Sequence, residues 1–374
     1  MKKALLFLLI TGLVQAAVAQ QYLIRAEVTG FPDNTKFYLK DLDVDSDIDS
    51  AVLKNNRFEM RGKISDAPKS LWIYASANKN SYYTTLLIGN DNLTIKGDAE
   101  DFPFDLSITG SKIQDVHNLQ VNLTKANYKK RNQLLQDYFT LKGDSAEIKG
   151  KQIWKVIGKL DSADDAVRKA FILSHLNTYE GLHELFYLKN KFPKDSLQQL
   201  YTSLTPEFKR SQFAQRIATY LKVGNILKKG DNSVDFEALD KNGQKHRLTD
   251  FKGKYVLLDF STTYCGPCIQ SLTDLHLMAK QYKDELAIVT FSGDGGKDTW
   301  LKGLNRDQPA WLSLWDGKGP YGETILKYGV TGYPTFVLIG PEGKIISKWS
   351  GYGKNKDGKG SLETAVAKLM PAGK

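Results

Sequence analysis

The 374-residue sequence predicts a multidomain chain: an N-terminal antiparallel β sandwich or barrel, a central helical segment and a C-terminal α/β domain. Three observations predict it. Short runs of β-formers separated by turn residues fill roughly the first third, apolar residues then recur at helical spacing, and the last third alternates apolar strands with a helix. With 41% hydrophobic and 25% charged residues the composition is that of a globular protein, which excludes wholesale disorder and collagen-like repeats. A single long apolar run, at the extreme N-terminus, excludes a polytopic membrane protein.

That run opens with Lys2 and Lys3, continues through a short apolar core from Ala4 to Val14, and reaches small residues at Ala17-Val18-Ala19. It reads as a signal peptide over residues 1–19, too short to span a bilayer, with cleavage expected after Ala19. No cysteine follows the apolar core, so lipid attachment is not expected.

Residues 20–110 form the expected β-rich domain. Tyr22–Val28, Lys36–Leu39, Leu71–Tyr74 and Tyr83–Ile88 are strand-like, and Asn55-Asn56 marks a turn between 51–53 and 58–60. Asp41, Asp43, Asp45, Asp47 and Asp49 alternate there. A calcium loop starting at Asp41 fails, with Ser46 and Val52 where glycine and glutamate are needed, so a solvated acidic edge is expected.

Residues 111–229 form the expected basic helical linker, with 21 Lys+Arg against 11 Asp+Glu. Ile113, Val116, Leu119 and Leu123 recur at helical steps. Further helices are predicted over 148–160, 166–176 and 181–190, separated by Gly143-Asp144 and Phe192-Pro193, with Pro206 heading another. The cations read as a solvated face; their functional reading is weak association with an anionic membrane surface.

In residues 230–374, Asn242-Gly243 signals a hairpin between 234–238 and 245–248. Strands are predicted at 255–260, 286–291, 335–339 and 344–348, a helix over 269–282, and a turn across Gly340–Gly343. This is an α/β core with a mixed sheet.

Both cysteines of the chain sit in Cys265-Gly266-Pro267-Cys268, between the first of these strands and the helix. A bridge closing so small a loop removes little unfolded-state entropy, so the pair is expected to react rather than to staple. At a helix N-terminus, free N–H groups and the dipole stabilise a thiolate, so Cys265 is the expected nucleophile and Cys268, one turn on, the resolving thiol. Gly266 and Pro267 keep the turn tight. A zinc half-site would need two further ligands; no other cysteine exists and the five histidines are scattered, so no metal is expected.

Val256–Phe260 followed by Tyr264–Cys268 resembles the thioredoxin redox centre, and Tyr333-Pro334-Thr335-Phe336 resembles the cis-proline element of that family. With Gly253-Lys254 and Ser292-Gly293-Asp294, residues 230–374 resemble the exported TlpA/ResA-like thioredoxins. Leu53–Gly62 resembles the DUF4369-type module joined to such domains in Bacteroidetes. The resemblance implies a thioredoxin fold, a buried acid at Asp259 that exchanges a proton with Cys268, and a cis bond before Pro334 beside the substrate cleft. It implies substrate contacts at Tyr264, Gly266, Pro267, Gly332 and Tyr333, and no cofactor beyond the Cys265–Cys268 disulfide. Tyr264 replaces the usual tryptophan, Thr273 the usual helix proline, and Ser271 the glutamate of ResA-like members.

The expected function is therefore that of a periplasmic protein-disulfide reductase. Its expected partners are disulfide-bonded exported proteins and a membrane thiol-reductant conduit, with no nucleic acid. Two alternatives stay open: a thiol peroxidase of AhpC/TSA type, echoed by Thr262-x-x-Cys265, and a binding or docking protein in which residues 20–229 dominate and redox activity is secondary. Trp300, Trp311 and Trp315 are expected in the core.

Overall fold

The computed structural model describes residues 21–65, 68–142, 145–353 and 360–369. The segment read as a signal peptide and the Gly143-Asp144 break lie outside the described residues. Among those described, no helix is long and apolar enough to cross a membrane.

The chain opens with β1 (Tyr22–Thr29), β2 (Lys36–Asp41), β3 (Ser46–Val52), β4 (Arg57–Gly62), β5 (Lys69–Ala77), β6 (Asn80–Ile88), β7 (Asn92–Asp98) and β8 (Ser107–Thr109). They build two four-stranded sheets, ordered β4-β1-β7-β8 and β3-β2-β5-β6. Alternation turns Ile24, Ala26 and Val28 of β1 and Leu71, Ile73 and Ala75 of β5 inward, where they share one core. Asn55 and Asn56 both take positive φ (50° and 60°), as a tight primed hairpin turn requires. One pair departs from the all-antiparallel expectation. β7 runs parallel to β1, from Leu23↔Asn92 to Thr29↔Asp98, because β5 and β6 of the other sheet intervene between β4 and β7 and return the chain to the first sheet by a crossover rather than a hairpin.

The alternating aspartates are only in part the expected solvated edge: β3 is an edge strand and Asp47 is exposed, but Asp41 is buried and Asp43, Asp45 and Asp49 are half-buried and paired. Lys69 pairs with the buried Asp41 at 2.6 Å, Arg216 with Asp43 at 2.8 Å, and Lys40 with Asp45. The hydroxyls of Tyr74 and Tyr22 donate to Asp47 and Asp49.

The helices are α1 (Lys112–Thr140), α2 (Ser145–Ser174), α3 (Tyr179–Leu188), α4 (Lys194–Thr202), α5 (Pro206–Lys209) and α6 (Gln212–Val223). Ser111 caps α1 through its hydroxyl, and Pro206 heads α5 as expected. Two predicted helices, 148–160 and 166–176, are one continuous α2. The polar tract between them does not break it because its acids have partners: Asp161 with Arg131, Asp164 with Asn127 and Asp165 with Lys191. α4 and α6 were not anticipated. Their Leu197, Phe213 and Ile217 pack with Leu182, Leu185 and Phe186 of α3 and with Leu87 of β6, seating the helices on the sandwich.

The C-terminal part contains β9 (Glu237–Leu239), β10 (Lys245–Arg247), β11 (Tyr255–Ser261), α7 (Gly266–Gln281), β12 (Leu286–Ser292), α8 (Lys297–Asp307), β13 (Leu312–Trp315), α9 (Glu323–Lys327), β14 (Thr335–Ile339), β15 (Ile345–Ser350) and α10 (Ser361–Leu369). Its seven strands are ordered β10-β9-β13-β12-β11-β14-β15. β11, β12 and β13 run parallel and β14 returns antiparallel to β11, giving the mixed sheet of a thioredoxin fold. Leu258, Phe260 and Val337 face one side of this sheet; Leu257, Phe336 and Leu338 face the other, beneath Leu275 and Met278 of α7.

Candidate functional site

β11 is buried along its centre and ends at Ser261, where the chain turns through Thr262–Tyr264 into α7. Cys265 is the N-cap of α7, and its Sγ accepts from the backbone N of Cys268 at 3.1 Å. The two cysteines are bonded to each other. Cys265 is half-buried, whereas Cys268 is 5% exposed, one turn inward. A helix N-terminus with unpaired N–H groups thus meets the outer sulfur. Pro267 fits the first turn, where its missing N–H costs nothing. Gly266 does not need its glycine for the turn, since its φ is not positive and an added Cβ would meet nothing within 4 Å. Tyr264 is 59% exposed, an aromatic lip beside the cysteines.

The loop before Cys265 is pinned by a residue to which the sequence reading gave no role. Asp294 accepts from Thr263 N at 3.0 Å, Thr263 Oγ1 at 2.9 Å and Ser292 Oγ at 2.8 Å. Arg306 Nη1 donates to Thr263 O at 2.7 Å from the other side. A buried carboxylate accepting several hydrogen bonds fixes the loop that aims Cys265.

Asp259 sits at the centre of β11 and is 3% exposed. Strand alternation puts it on the face of Leu257, the one covered by α7, which the sequence could not decide. Thr290 Oγ1 donates to Asp259 Oδ2 at 2.9 Å, and Trp311 Nε1 donates to Thr290 Oγ1 at 2.9 Å. Oδ1 has no partner. Burial pushes the carboxyl up to about 7, the Thr290 hydrogen bond opposes this, and the nearby Asp307 charge adds to it. Beside it lies a cavity of about 40 Å³, lined by Asp259, Leu272, Thr290, Asp307 and Trp311. α7 contributes Leu272, one helical turn beyond Cys268, and α8 contributes Trp300, Gly303 and Leu304 to its walls. Trp300 is core, as expected; Trp311 also joins the Asp259 network.

The Tyr333–Pro334 bond is cis. Register brings it to the redox end of the sheet: Thr335, the next residue, pairs with Phe260 near the end of β11. Gly293 donates its N–H to Ser261 O at 2.8 Å, and the Tyr333 hydroxyl lies where a Cβ on Gly293 would come within 2.1 Å of it. The Tyr333 ring therefore turns inward onto Gly293 and the core. That hydroxyl is buried without a partner, and burial raises its ionisation above the usual tyrosine range. Gly332 is exposed and Pro334 buried.

Of the substitutions noted in the sequence, Ser271 is buried and donates to Cys268 O at 2.7 Å, while Thr273 is exposed and α7 runs unbroken.

The N-terminal sandwich reaches this site. The turn between β2 and β3 packs on the glycines after β12: Thr299 Oγ1 donates to Val44 O at 3.3 Å, and an added Cβ on Gly295 would fall 1.7 Å from Asp43 O. Lys40 Nζ lies 5.6 Å from the centre of the Tyr264 ring. Arg216 of α6, which holds Asp43, also stacks on Tyr321 at 4.0 Å, so helices, sandwich and redox domain meet here.

Residues 253–345 match a family described as thioredoxin-like, and residues 22–117 match DUF4369, a domain of unknown function. The chain is 32% identical over 143 residues to the thiol-disulfide oxidoreductase ResA of Bacillus thuringiensis subsp. konkukian, which covers 38% of this chain and 79% of that protein. It is 31% identical over 130 residues to the thioredoxin-like protein YneN of Bacillus subtilis, covering 34% of this chain and 74% of YneN. Among solved structures, the thioredoxin domain of a thiol-disulfide oxidoreductase from Bacteroides vulgatus is 29% identical, with a TM-score of 0.35, covering 39% of this chain and 99% of that one.

Proposed function

Because the chain belongs to the thioredoxin-like thiol–disulfide oxidoreductases, we propose that it reduces disulfides of exported proteins in the periplasm, with Cys265 as the attacking thiolate. The observation that carries this reading is the pair itself: an outer sulfur capping a helix N-terminus, and its partner buried one turn inward. In the reduced protein, Cys265 Sγ attacks one sulfur of a substrate disulfide, forming a mixed disulfide and releasing the other substrate sulfur as a thiolate. Cys268 then loses its proton and attacks Cys265 Sγ. The mixed disulfide breaks, the second substrate thiol leaves, and the enzyme pair is oxidised as the substrate gains two electrons.

Asp259 is the proposed proton acceptor for Cys268, on the face of β11 that α7 covers. A carboxyl with pKa about 7 is matched to taking and returning a proton near neutrality. The cis peptide at Pro334 and the exposed Tyr264, Gly266, Pro267 and Gly332 are the proposed seat of the substrate chain, with the backbone of Tyr333. Return of electrons requires an external dithiol, and a membrane thiol-reductant conduit is the proposed donor. A CGPC sequence fits a reductant, whose potential lies near about −270 mV against about −120 mV for strong oxidants.

Lys40 of β2 beside Tyr264, with the β2–β3 turn on Gly295 and Thr299, supports a second contribution, in which the DUF4369 module forms one wall of the substrate approach. Trapping tests the whole reading. Cys268→Ser, expressed in a bacterial envelope, is expected to accumulate mixed disulfides between Cys265 and exported proteins, resolved by dithiothreitol. Absence of adducts, together with rapid oxidation of Cys265 by hydrogen peroxide, would favour a peroxidase instead.

A further inference from the structure

Away from the disulfide, the helical segment encloses a cluster that redox chemistry does not use. Glu180, His183 and Glu184 lie on α3 at i, i+3 and i+4, hence on one face. Glu180 is 1% exposed and Glu184 3%, and the His183 ring packs against Phe213 and Tyr187.

Each carboxylate has one oxygen held from another helix. His117 Nδ1 of α1 lies 2.9 Å from Glu180 Oε2, and Arg168 Nε of α2 donates to Glu184 Oε2. The other two oxygens face His183 Nδ1, Glu180 Oε1 at 3.5 Å and Glu184 Oε1 at 3.8 Å. These separations are too long for good hydrogen bonds, and both Glu180 Oε1 and His183 Nδ1 are buried without a hydrogen-bond partner.

The spacing suits atoms gathered around a cation. A tetrahedron with bonds of about 2.1 Å has edges of about 3.4 Å, close to the 3.5 and 3.8 Å from His183 Nδ1 to the two oxygens, and one donor atom from each residue lies within 4.8 Å of the others. We propose that Glu180 Oε1, His183 Nδ1 and Glu184 Oε1 bind a first-row divalent cation of the zinc, cobalt or manganese class, with His117 and Arg168 orienting the two carboxylates. One imidazole nitrogen with two carboxylate oxygens is a donor set for such ions rather than for calcium, which takes six to eight oxygens. A cleft of about 470 Å³, lined by Gln120, Asp161, Asp164, Arg168 and Glu184, reaches the Glu184 side of the cluster. Histidine and cysteine spacing alone predicts no metal; the Glu-x-x-His-Glu spacing is a different signal.

The competing occupant of the gap is a proton on His183, which would make the cluster an ion-pair network. Titration calorimetry with zinc chloride separates the two, using the chelator-stripped full chain with its disulfide intact so that the cysteines cannot bind. Saturable 1:1 zinc binding is expected, and cobalt(II) should give visible d–d bands. His183→Ala and Glu184→Gln should weaken zinc binding at least 100-fold, and His117→Gln by about 10- to 100-fold, while insulin reduction stays unchanged. Should His183→Ala fail to fold, by circular dichroism, Glu184→Gln and His117→Gln carry the comparison. No saturable zinc binding by the unaltered chain, or binding unaltered in the folded variants, would overturn the proposal.

Discussion

Replacing Asp259 by asparagine removes a buried acid whose cost depends on pH, and the structure sets the size of the effect. The carboxyl is pushed up to about 7 from an ordinary 3.8, mainly by burial. Below pH 4 it is protonated in both the folded and the unfolded chain, and its environment then costs the folded state nothing extra. As pH rises from about 4 towards 7, the unfolded chain releases the proton while the folded chain keeps it, so stability falls across that window. At about 1.4 kcal/mol per tenfold change, the loss levels off near about 4 kcal/mol above pH 7. The asparagine variant lacks this slope, and any constant cost of its amide cancels when pH values are compared. Urea unfolding of the oxidised protein at pH 4 and pH 8 measures the effect. The stability difference between variant and parent should move in the variant's favour by about 4 kcal/mol between those pH values. A difference that stays constant would refute the assignment of Asp259 as a neutral buried acid and, with it, its role in taking the Cys268 proton.

Other perturbations have separate readouts. Tyr333→Phe deletes a buried hydroxyl with no partner and should raise stability by about 1 kcal/mol in urea; a loss of that size would mean the hydroxyl is satisfied. Lys69→Met strands the buried Asp41 carboxylate and should cost about 3–5 kcal/mol, read as a lower urea midpoint. Gly295→Val puts a side chain where Asp43 O now sits, so amide exchange should quicken in both the β2–β3 turn and residues 293–299. Unchanged exchange would show that the sandwich does not dock there.

Much of the redox domain was legible because its signals are local. A strand, a CxxC and a helix in sequence are readable from spacing, and so is the Asn55-Asn56 turn, whose residues tolerate positive φ. What local pattern could not decide was direction and partnership. Asp259 could point to either face of β11 until α7 covered one of them. The tract from Asp161 to Asp165 looked like a helix end, yet α2 runs through it because Arg131, Asn127 and Lys191 arrive from other helices. Asp47 is solvated as the alternation suggests, but Asp41 is buried, and the cations and hydroxyls that pair with this run come from residues 22–74 and from Arg216. Nothing local in the sequence marks Asp294, because its role in holding Thr263 depends on two loops meeting after β11 and β12. Long-range polar partners are the common element in these misses.

The reactivity of Cys265 is the most direct test of the account. Reduced protein is alkylated with iodoacetamide over a range of pH, and the modified sulfur is located by mass spectrometry. The helix N-terminus should make Cys265 react faster at neutral pH than glutathione does, with Cys268 protected by burial. Alkylation of Cys265 no faster than that of a free thiol, or preferential modification of Cys268, would contradict its assignment as the nucleophile.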